Sequence, residues 1–147
     1  MLNIIVKTFT ELTLEELYAI LQLRSEIFVV EQNCVYQDID YKDQNALHII
    51  GYKNDGIVAY TRVFKPDENF DHAGIGRVLV KFGERHLKYG YAIMEASIRV
   101  IEDTYHETKI RISAQAHLKR FYNNLGFVEI GEQYLEDGIP HIGMEKV

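Results

Sequence analysis

The octapeptide Arg85-His86-Leu87-Lys88-Tyr89-Gly90-Tyr91-Ala92 closely follows the apolar run Val78-Leu79-Val80. A strand that ends in a turn opening a helix is a place where an anion can be held. The first N–H groups of a helix have no acceptor within it and lie at the positive end of its dipole, which suits a pyrophosphate. Arg85 and Lys88 add positive charge there, at a cost of about 0.3–1 kcal/mol each unless an anion is near. Much later, Phe121-Tyr122-Asn123-Asn124-Leu125-Gly126-Phe127 puts a phenol on the last turn of a short helix closed by Gly126. A phenol in that position can donate a proton. Glu31, Asp38, Asp40 and Asp43 form a third group, able to draw in an ammonium or pass its proton to water.

The elements that must position these groups follow from pattern. Ile4 to Phe9 alternates as a strand, and Thr13-Leu14-Glu15-Glu16 is a capping box opening a helix. Leu17, Ile20, Leu21, Ile27 and Phe28 give that helix an apolar stripe, which Arg24 interrupts. Residues 31 to 45 are polar and irregular. Leu47 to Tyr52 and Ile57 to Phe64 flank Asn54-Asp55-Gly56, whose Asp-Gly pair signals a hairpin. Gly76 to Val80 is the next strand, and Leu87, Gly90, Met94, Ile98 and Ile101 recur at helical spacing over roughly 84 to 104. Lys109 to Ala114 reads as a strand and His117 to Leu125 as a helix. Phe127 to Ile130, Gln133 to Leu135 and His141 to Lys146 complete the sheet. The step from 76 to 114 requires one parallel, right-handed strand-helix-strand crossover, so the fold class is α+β with a mixed, mostly antiparallel sheet flanked by helices.

Taken together, the turn at 85 to 90 and the Tyr-x-x-x-Gly-Phe at 122 to 127 resemble the GNAT superfamily of acetyl-CoA-dependent N-acetyltransferases. There the fourth strand leads into an Arg/Gln-x-x-Gly-x-Gly/Ala turn. Lys88 stands where the first glycine of that turn is expected. Residues 23 to 32, Ala114-Gln115-Ala116-His117-Leu118 and Asp137-Gly138-Ile139-Pro140-His141-Ile142-Gly143-Met144 resemble the ElaA-like branch, in which a lysine at this place is usual. The resemblance spans nearly the whole chain. It implies a co-substrate, acetyl-CoA, held by Val78, Leu79, Val80, Arg85, His86, Lys88, Tyr89, Gly90 and Tyr91. It also implies Tyr122 as the acid that protonates the departing thiolate, and direct transfer to the amine of a small molecule or peptide. Glu31, at the helix exit in Phe-Val-Val-Glu-Gln, is the candidate base, with a surface acid at the helix end as the other reading. Gln32, His48, Gln115 and His117 are candidates to line the acceptor cleft.

Plainer readings exist for each group. Val78 to Val80 could be an ordinary buried strand, the cations a solvated helix start, and Tyr122 a packing residue with a wet hydroxyl. A non-catalytic acyl-CoA-binding module would keep the cradle and need no Tyr122, and another thioester donor is a further alternative. Asp38, Asp40 and Asp43 begin like a calcium loop, but Asp43 stands where glycine is needed at the sixth position and Ile49 where glutamate is needed at the twelfth. His48, His117 and His141 lack zinc-ligand spacing, so no metal is expected. Cys34 reads as a small, partly buried side chain.

The 147 residues suit one domain, long enough to bury roughly 70% of the surface of the unfolded chain. Hydrophobic residues at 47% and charged residues at 26% exclude disordered and fibrous classes. A single cysteine excludes an internal disulfide and points to a reducing, cytoplasmic setting. No signal-like leader or membrane span is expected. A formal charge of −6 argues against a nucleic-acid partner and mildly favours a cationic substrate; a homodimer is possible.

Overall fold

Thr13 accepts a hydrogen bond from the Glu16 N–H at 3.0 Å, and the Glu16 carboxylate accepts from the Thr13 N–H at 2.9 Å. This reciprocal cap starts α1 (Leu14–Arg24) where the sequence puts it. The computed structural model describes residues 1–147. The remaining elements are β1 (Asn3–Thr8), β2 (Leu47–Lys53), β3 (Gly56–Phe64), β4 (Ala73–Val80), α2 (Tyr89–Tyr105), β5 (Ile110–Gln115), α3 (Lys119–Asn123), β6 (Val128–Glu136) and β7 (Ile139–Lys146). They form one seven-stranded sheet in the order β1-β2-β3-β4-β5-β7-β6. Only β4 and β5 run parallel, as the crossover through α2 requires.

The sheet is covered on two faces. Ile93, Met94, Ile98 and Ile101 of α2 pack on Ile49, Ala59, Val63, Ile75, Ile110 and Ile112, with Tyr122, Leu125 and Phe127 closing the same core. On the other face Ile20, Leu23 and Ile27 pack on Ile50, Tyr60 and Leu79. The β2–β3 hairpin turns at Asn54-Asp55, with Lys53 opposite Gly56, so the left-handed residue is Asn54 at φ +58° rather than the glycine. Asparagine tolerates that conformation well.

β4 departs from regular pairing in two ways. Thr61 of β3 stands opposite both Arg77 and Val78, a β-bulge in which Arg77 takes φ +50°. The bulge reverses the alternation of side chains, so Ile75, Val78 and Val80 meet the α2 core while Leu79 meets the α1 core. Pairing with β5 is confined to Ala73–Ile110 and Gly74–Arg111, after which the two strands part.

Several boundaries differ from the sequence reading. α2 begins at Tyr89, because Arg85–Leu87 form a 3₁₀ turn and Lys88 adopts a left-handed φ of +59° that breaks helical continuity. Arg85 and Lys88 therefore precede the helix instead of lying in its first turns. The strands expected at 127 to 130 and 133 to 135 are two parts of β6, whose pairing with β7 shifts between Ile130 and Tyr134. α1 continues into a π-helical segment, Ser25–Glu31, capped by the Gln32 N–H donating to the Ile27 carbonyl at 3.3 Å, and just beyond it the Cys34 N–H donates to the Val29 carbonyl at 3.0 Å.

The largest correction concerns Arg24 and the acidic segment. Arg24 does not merely interrupt an apolar stripe, since it is fully buried. Its guanidinium donates to Asp43 at 2.7 Å and to Asp38 at 2.9 Å. Arg62 donates to Asp40 at 2.6 Å and Asp43 at 3.0 Å, and Arg77 lies 2.7 Å from Asp38 and 3.4 Å from Asp40. Desolvation works against the Arg24 charge, but the hydrogen bond and charge of Asp43 and the charge of Asp38 outweigh it and hold its pKa above the ordinary value. Hydrogen bonds from Arg62 hold Asp40 well below the usual carboxylate range despite its burial. Asp38, Asp40 and Asp43 are thus neutralised by arginines and are not open to an ammonium. Removing one partner of such a buried set strands the others. Arg24→Met should lower the unfolding free energy by about 3–5 kcal/mol in urea denaturation, whereas a loss below about 1 kcal/mol, the range of an exposed pair, would refute the buried role.

Candidate active site

Where β4 and β5 part, a cavity of about 530 Å³ opens between them. Val78, Leu79 and Val80 form one wall, and Ile112, Ser113 and Gln115 another. Beyond Gly74 the edge of β4 has no ladder partner on this side, so its backbone groups can pair with a ligand. Arg85, Lys88, Gly90 and Tyr91 also line this cavity, whereas His86 and Tyr89 do not. His86 points to solvent on the 3₁₀ turn and Tyr89 is buried.

The first bond within α2 runs from the Ala92 N–H to the Lys88 carbonyl at 3.3 Å. The N–H groups of Tyr89, Gly90 and Tyr91 therefore lack an intrahelical acceptor and fit an anion. Lys88 occupies, at φ +59°, a position that glycine takes without strain, which explains why the related turn carries glycine there. Gly90 serves close packing: a Cβ on it would stand 3.3 Å from two ring carbons of Phe121, which precedes Tyr122.

Arg85 has a different role from a free phosphate ligand. Its Nε donates to the Val80 carbonyl at 3.0 Å, Nη1 lies 2.7 Å from one Glu31 oxygen, and Nη2 donates to the other at 3.0 Å. This two-pronged pair ties the end of β4 to the π-helical segment. It also engages Glu31, so that carboxylate is not a free base, and it occupies the Val80 carbonyl.

Tyr122 is 6% exposed and lines the cavity. Phe121 and Phe127 meet its ring edge-on at centroid distances of 5.0 and 6.2 Å. Burial alone pushes its phenol up to about 12. The hydroxyl is therefore protonated across the working pH range, with no residue competing for its proton.

The acceptor candidates divide. Gln32, Gln115 and His117 line the cavity, and the Gln115 amide donates to Gln32 at 3.3 Å across it. His48 does not reach the cavity: it is 1% exposed beneath the arginine–aspartate cluster. Its Nε2 donates to the Asp43 carbonyl at 3.0 Å, and Nδ1 accepts from the Tyr60 hydroxyl at 2.6 Å. Burial lowers its pKa, consistent with a neutral structural ring. Residues missed from sequence also line the cavity, among them Arg77, Ser113, Glu136 and His141. His141 stands directly opposite Gln115 in the β5–β7 pairing. The available signals were its place just after the turn Asp137-Gly138 and its presence in the segment 137 to 144 that carries the family resemblance. The Cys34 thiol donates to the Asp137 carbonyl at 3.3 Å, which anchors the segment after the π-helical turn against that hairpin.

Residues 10–147 match the family model described as acetyltransferase (GNAT) domain. The chain is 45% identical over 139 residues to protein ElaA of Escherichia coli, covering 93% of this chain and 91% of that one. Among solved structures it resembles an acyl-CoA N-acyltransferase from Pseudomonas aeruginosa, with TM-score 0.94 and 40% identity, and E. coli ElaA, with TM-score 0.93 and 42% identity. Both superpositions cover 100% of both chains.

The start of α2 generates a binding prediction. Lys88→Gly relieves left-handed strain and removes one exposed cation, so CoA affinity measured by calorimetry should fall less than about 10-fold. Gly90→Val crowds Phe121 and covers the free N–H groups, and should weaken CoA by more than about 100-fold, equivalent to losing two or more charge-assisted hydrogen bonds. The reverse order of effects would show that the lysine side chain, not the backbone, carries the anion.

Proposed function

Because the chain belongs to the GNAT acetyltransferase family, we propose that it moves an acetyl group from acetyl-CoA directly to the amine of a small molecule or peptide. The observation that carries this reading is Tyr122, a buried phenol without a hydrogen-bond partner in the cleft between the open edge of β4 and β5.

The chain's groups divide the work. N–H groups at the start of α2 take the pyrophosphate, and the free edge at Val78 and Leu79 pairs with the pantetheine arm and polarises the thioester oxygen. The amine attacks the carbonyl carbon, and as the adduct collapses Tyr122 gives its proton to the sulfur. With the phenol near 12 and a reference thiol near 8.5, that transfer would be uphill by about 5 kcal/mol if only the phenol were desolvated. The same apolar surroundings that raise the phenol also raise the thiol, which narrows the gap. A phenol held neutral at the cavity wall is then a proton source ready at all working pH values.

No covalent enzyme intermediate is needed. Cys34 points its thiol at a carbonyl oxygen, and no basic side chain is paired with it. A buried lone thiol also suits a reducing compartment, and we place the enzyme in the cytoplasm on that ground. No helix is long and apolar enough to cross a membrane.

Tyr122→Phe removes one hydroxyl and little packing. CoA affinity and Tm should stay close to wild type while kcat falls about 10²–10⁴-fold on a substrate for which chemistry limits the rate. Retained turnover would assign the proton to water and leave Tyr122 a packing residue.

A further inference from the structure

His141 is 7% exposed and lines the same cavity as Tyr122, yet the acyl-transfer scheme above makes no use of it. Its Nδ1 lies 2.7 Å from the Ile139 carbonyl oxygen. A carbonyl can only accept, so Nδ1 carries a hydrogen and, in the neutral ring, Nε2 carries the lone pair. That lone pair lies 3.4 Å from Glu136 Oε2. Two acceptors facing each other are unfavourable unless a proton or an N–H-bearing cation stands with them. Their juxtaposition within the cavity fits an ammonium, which can give one N–H to the ring and another to the carboxylate.

The surroundings hold this pair in place. Tyr134 stacks on the His141 ring at 6.2 Å and 26°, and its hydroxyl is hydrogen-bonded to Ser113. Ser113 in turn donates to the other Glu136 oxygen at 3.4 Å. Gln115 stands opposite His141 across the β5–β7 pairing and is tied to Gln32. Of the cavity's other carboxylates, Glu31 is engaged by Arg85, and Asp137 lies in the β6–β7 turn. This polar wall sits on β5, β6 and β7, whereas the anion-binding N–H groups belong to α2. The two substrates thus have separate anchoring elements.

We infer that His141, oriented by Ile139 and faced by Glu136, is the general base for the acceptor, and that the acceptor is an amine arriving as an ammonium. The inference rests on the acyl-transfer reading above and names its missing base. The ammonium donates to Glu136 and gives one proton to Nε2, and the neutral nitrogen then forms the C–N bond to the thioester carbon. The adduct loses a second N–H proton to water, the C–S bond breaks, and the thiolate takes the Tyr122 proton. Tyr122 recovers a proton from water, and the His141 imidazolium releases its own past Glu136, whose side chain is 51% exposed. The products are an amide, free CoA thiol and one proton in solution.

Release of free thiol from acetyl-CoA should be followed against pH with primary amines running from propylamine to the α- and ε-amines of lysine. Wild type, His141→Gln and Glu136→Gln are compared after calorimetry confirms unchanged CoA affinity and Tm. At neutral pH His141→Gln should lower kcat/KM about 10²–10⁴-fold, with the deficit shrinking as pH nears the amine's own pKa, where the amine is already neutral. Glu136→Gln removes the oxygen that accepts the ammonium's second N–H and should raise KM for the amine about 10-fold or more with a smaller effect on kcat. The other titratable groups around the ring, Tyr134, Asp137, His117 and Cys34, are unaltered in both variants. A His141→Gln enzyme with the wild-type profile overturns the assignment and leaves acyl transfer standing. In parallel, the His141 Cε1–H resonance is followed by NMR as propylamine is added. A shift without transfer to any amine keeps the ammonium site and sinks the transfer reading, while neither shift nor transfer overturns both.

Discussion

Three arginines on α1, β3 and β4 and three aspartates on the segment before β2 neutralise one another beside the cavity, which Arg77 lines. Arg77 sits at the bulge of β4 with a left-handed backbone, a conformation that costs of order 1–3 kcal/mol in a residue with a side chain. Its guanidinium is fastened to Asp38 and Asp40, and those carboxylates are fixed in turn by Arg24 and Arg62. The Arg77 guanidinium also lies 5.7 Å from the centre of the Tyr36 ring. The bulge reverses which side chains face each core and accompanies the parting of β4 from β5 beyond Gly74. An irregular polar stretch, residues 31 to 45, is ordered by this charge exchange more than by secondary structure.

Buried ions are costly, and a hydrophobic cluster of equal volume would often be as stable. What the ions provide here is direction. A guanidinium reaching two carboxylates accepts few alternative arrangements, so the strand, the π-helical segment and the loop meet in one geometry. His48 and Tyr60 extend the same network by neutral hydrogen bonds, with every ring nitrogen assigned.

Elements governed by local chemistry were legible in the residues. The Thr13–Glu16 cap, the hairpin at 54 to 56 and the α2 periodicity follow from neighbours a few positions apart, although the turn centres on Asn54-Asp55 and not on the Asp-Gly pair, and the parallel strand pair follows from the order of the elements. The resemblance pointed to Tyr122 and the turn at 85 to 90, and of these Tyr122, Arg85, Lys88 and Gly90 line the cavity while His86 and Tyr89 do not. The failures share a cause. Arg24 finds its partners 14 and 19 residues away, Glu31 finds Arg85 at a separation of 54, and Gln115 finds Gln32 at 83. No periodicity encodes such pairs, so a buried guanidinium read as a flaw in an apolar stripe and an engaged carboxylate read as a base. His48 misled for the same reason: a histidine on a strand gives no sign of which side of the sheet will be sealed. The onset of α2 was misplaced because a lysine in a left-handed turn leaves no compositional mark.

The contact between Gly90 and Phe121 has a mechanical meaning. It locks the N-terminal end of α2 against the helix that carries Tyr122, with ring carbons only 3.3 Å from where a Cβ would be. The free N–H groups at the start of α2 and the Tyr122 phenol therefore sit on two elements in direct contact. The span between them is set by how α2 and α3 pack, not by the β6–β7 hairpin. On the acyl-transfer reading proposed above, such a fixed span would act as a ruler for the donor, and a thioester whose reactive carbon lay nearer to or farther from its phosphates would present its sulfur out of reach of the phenol.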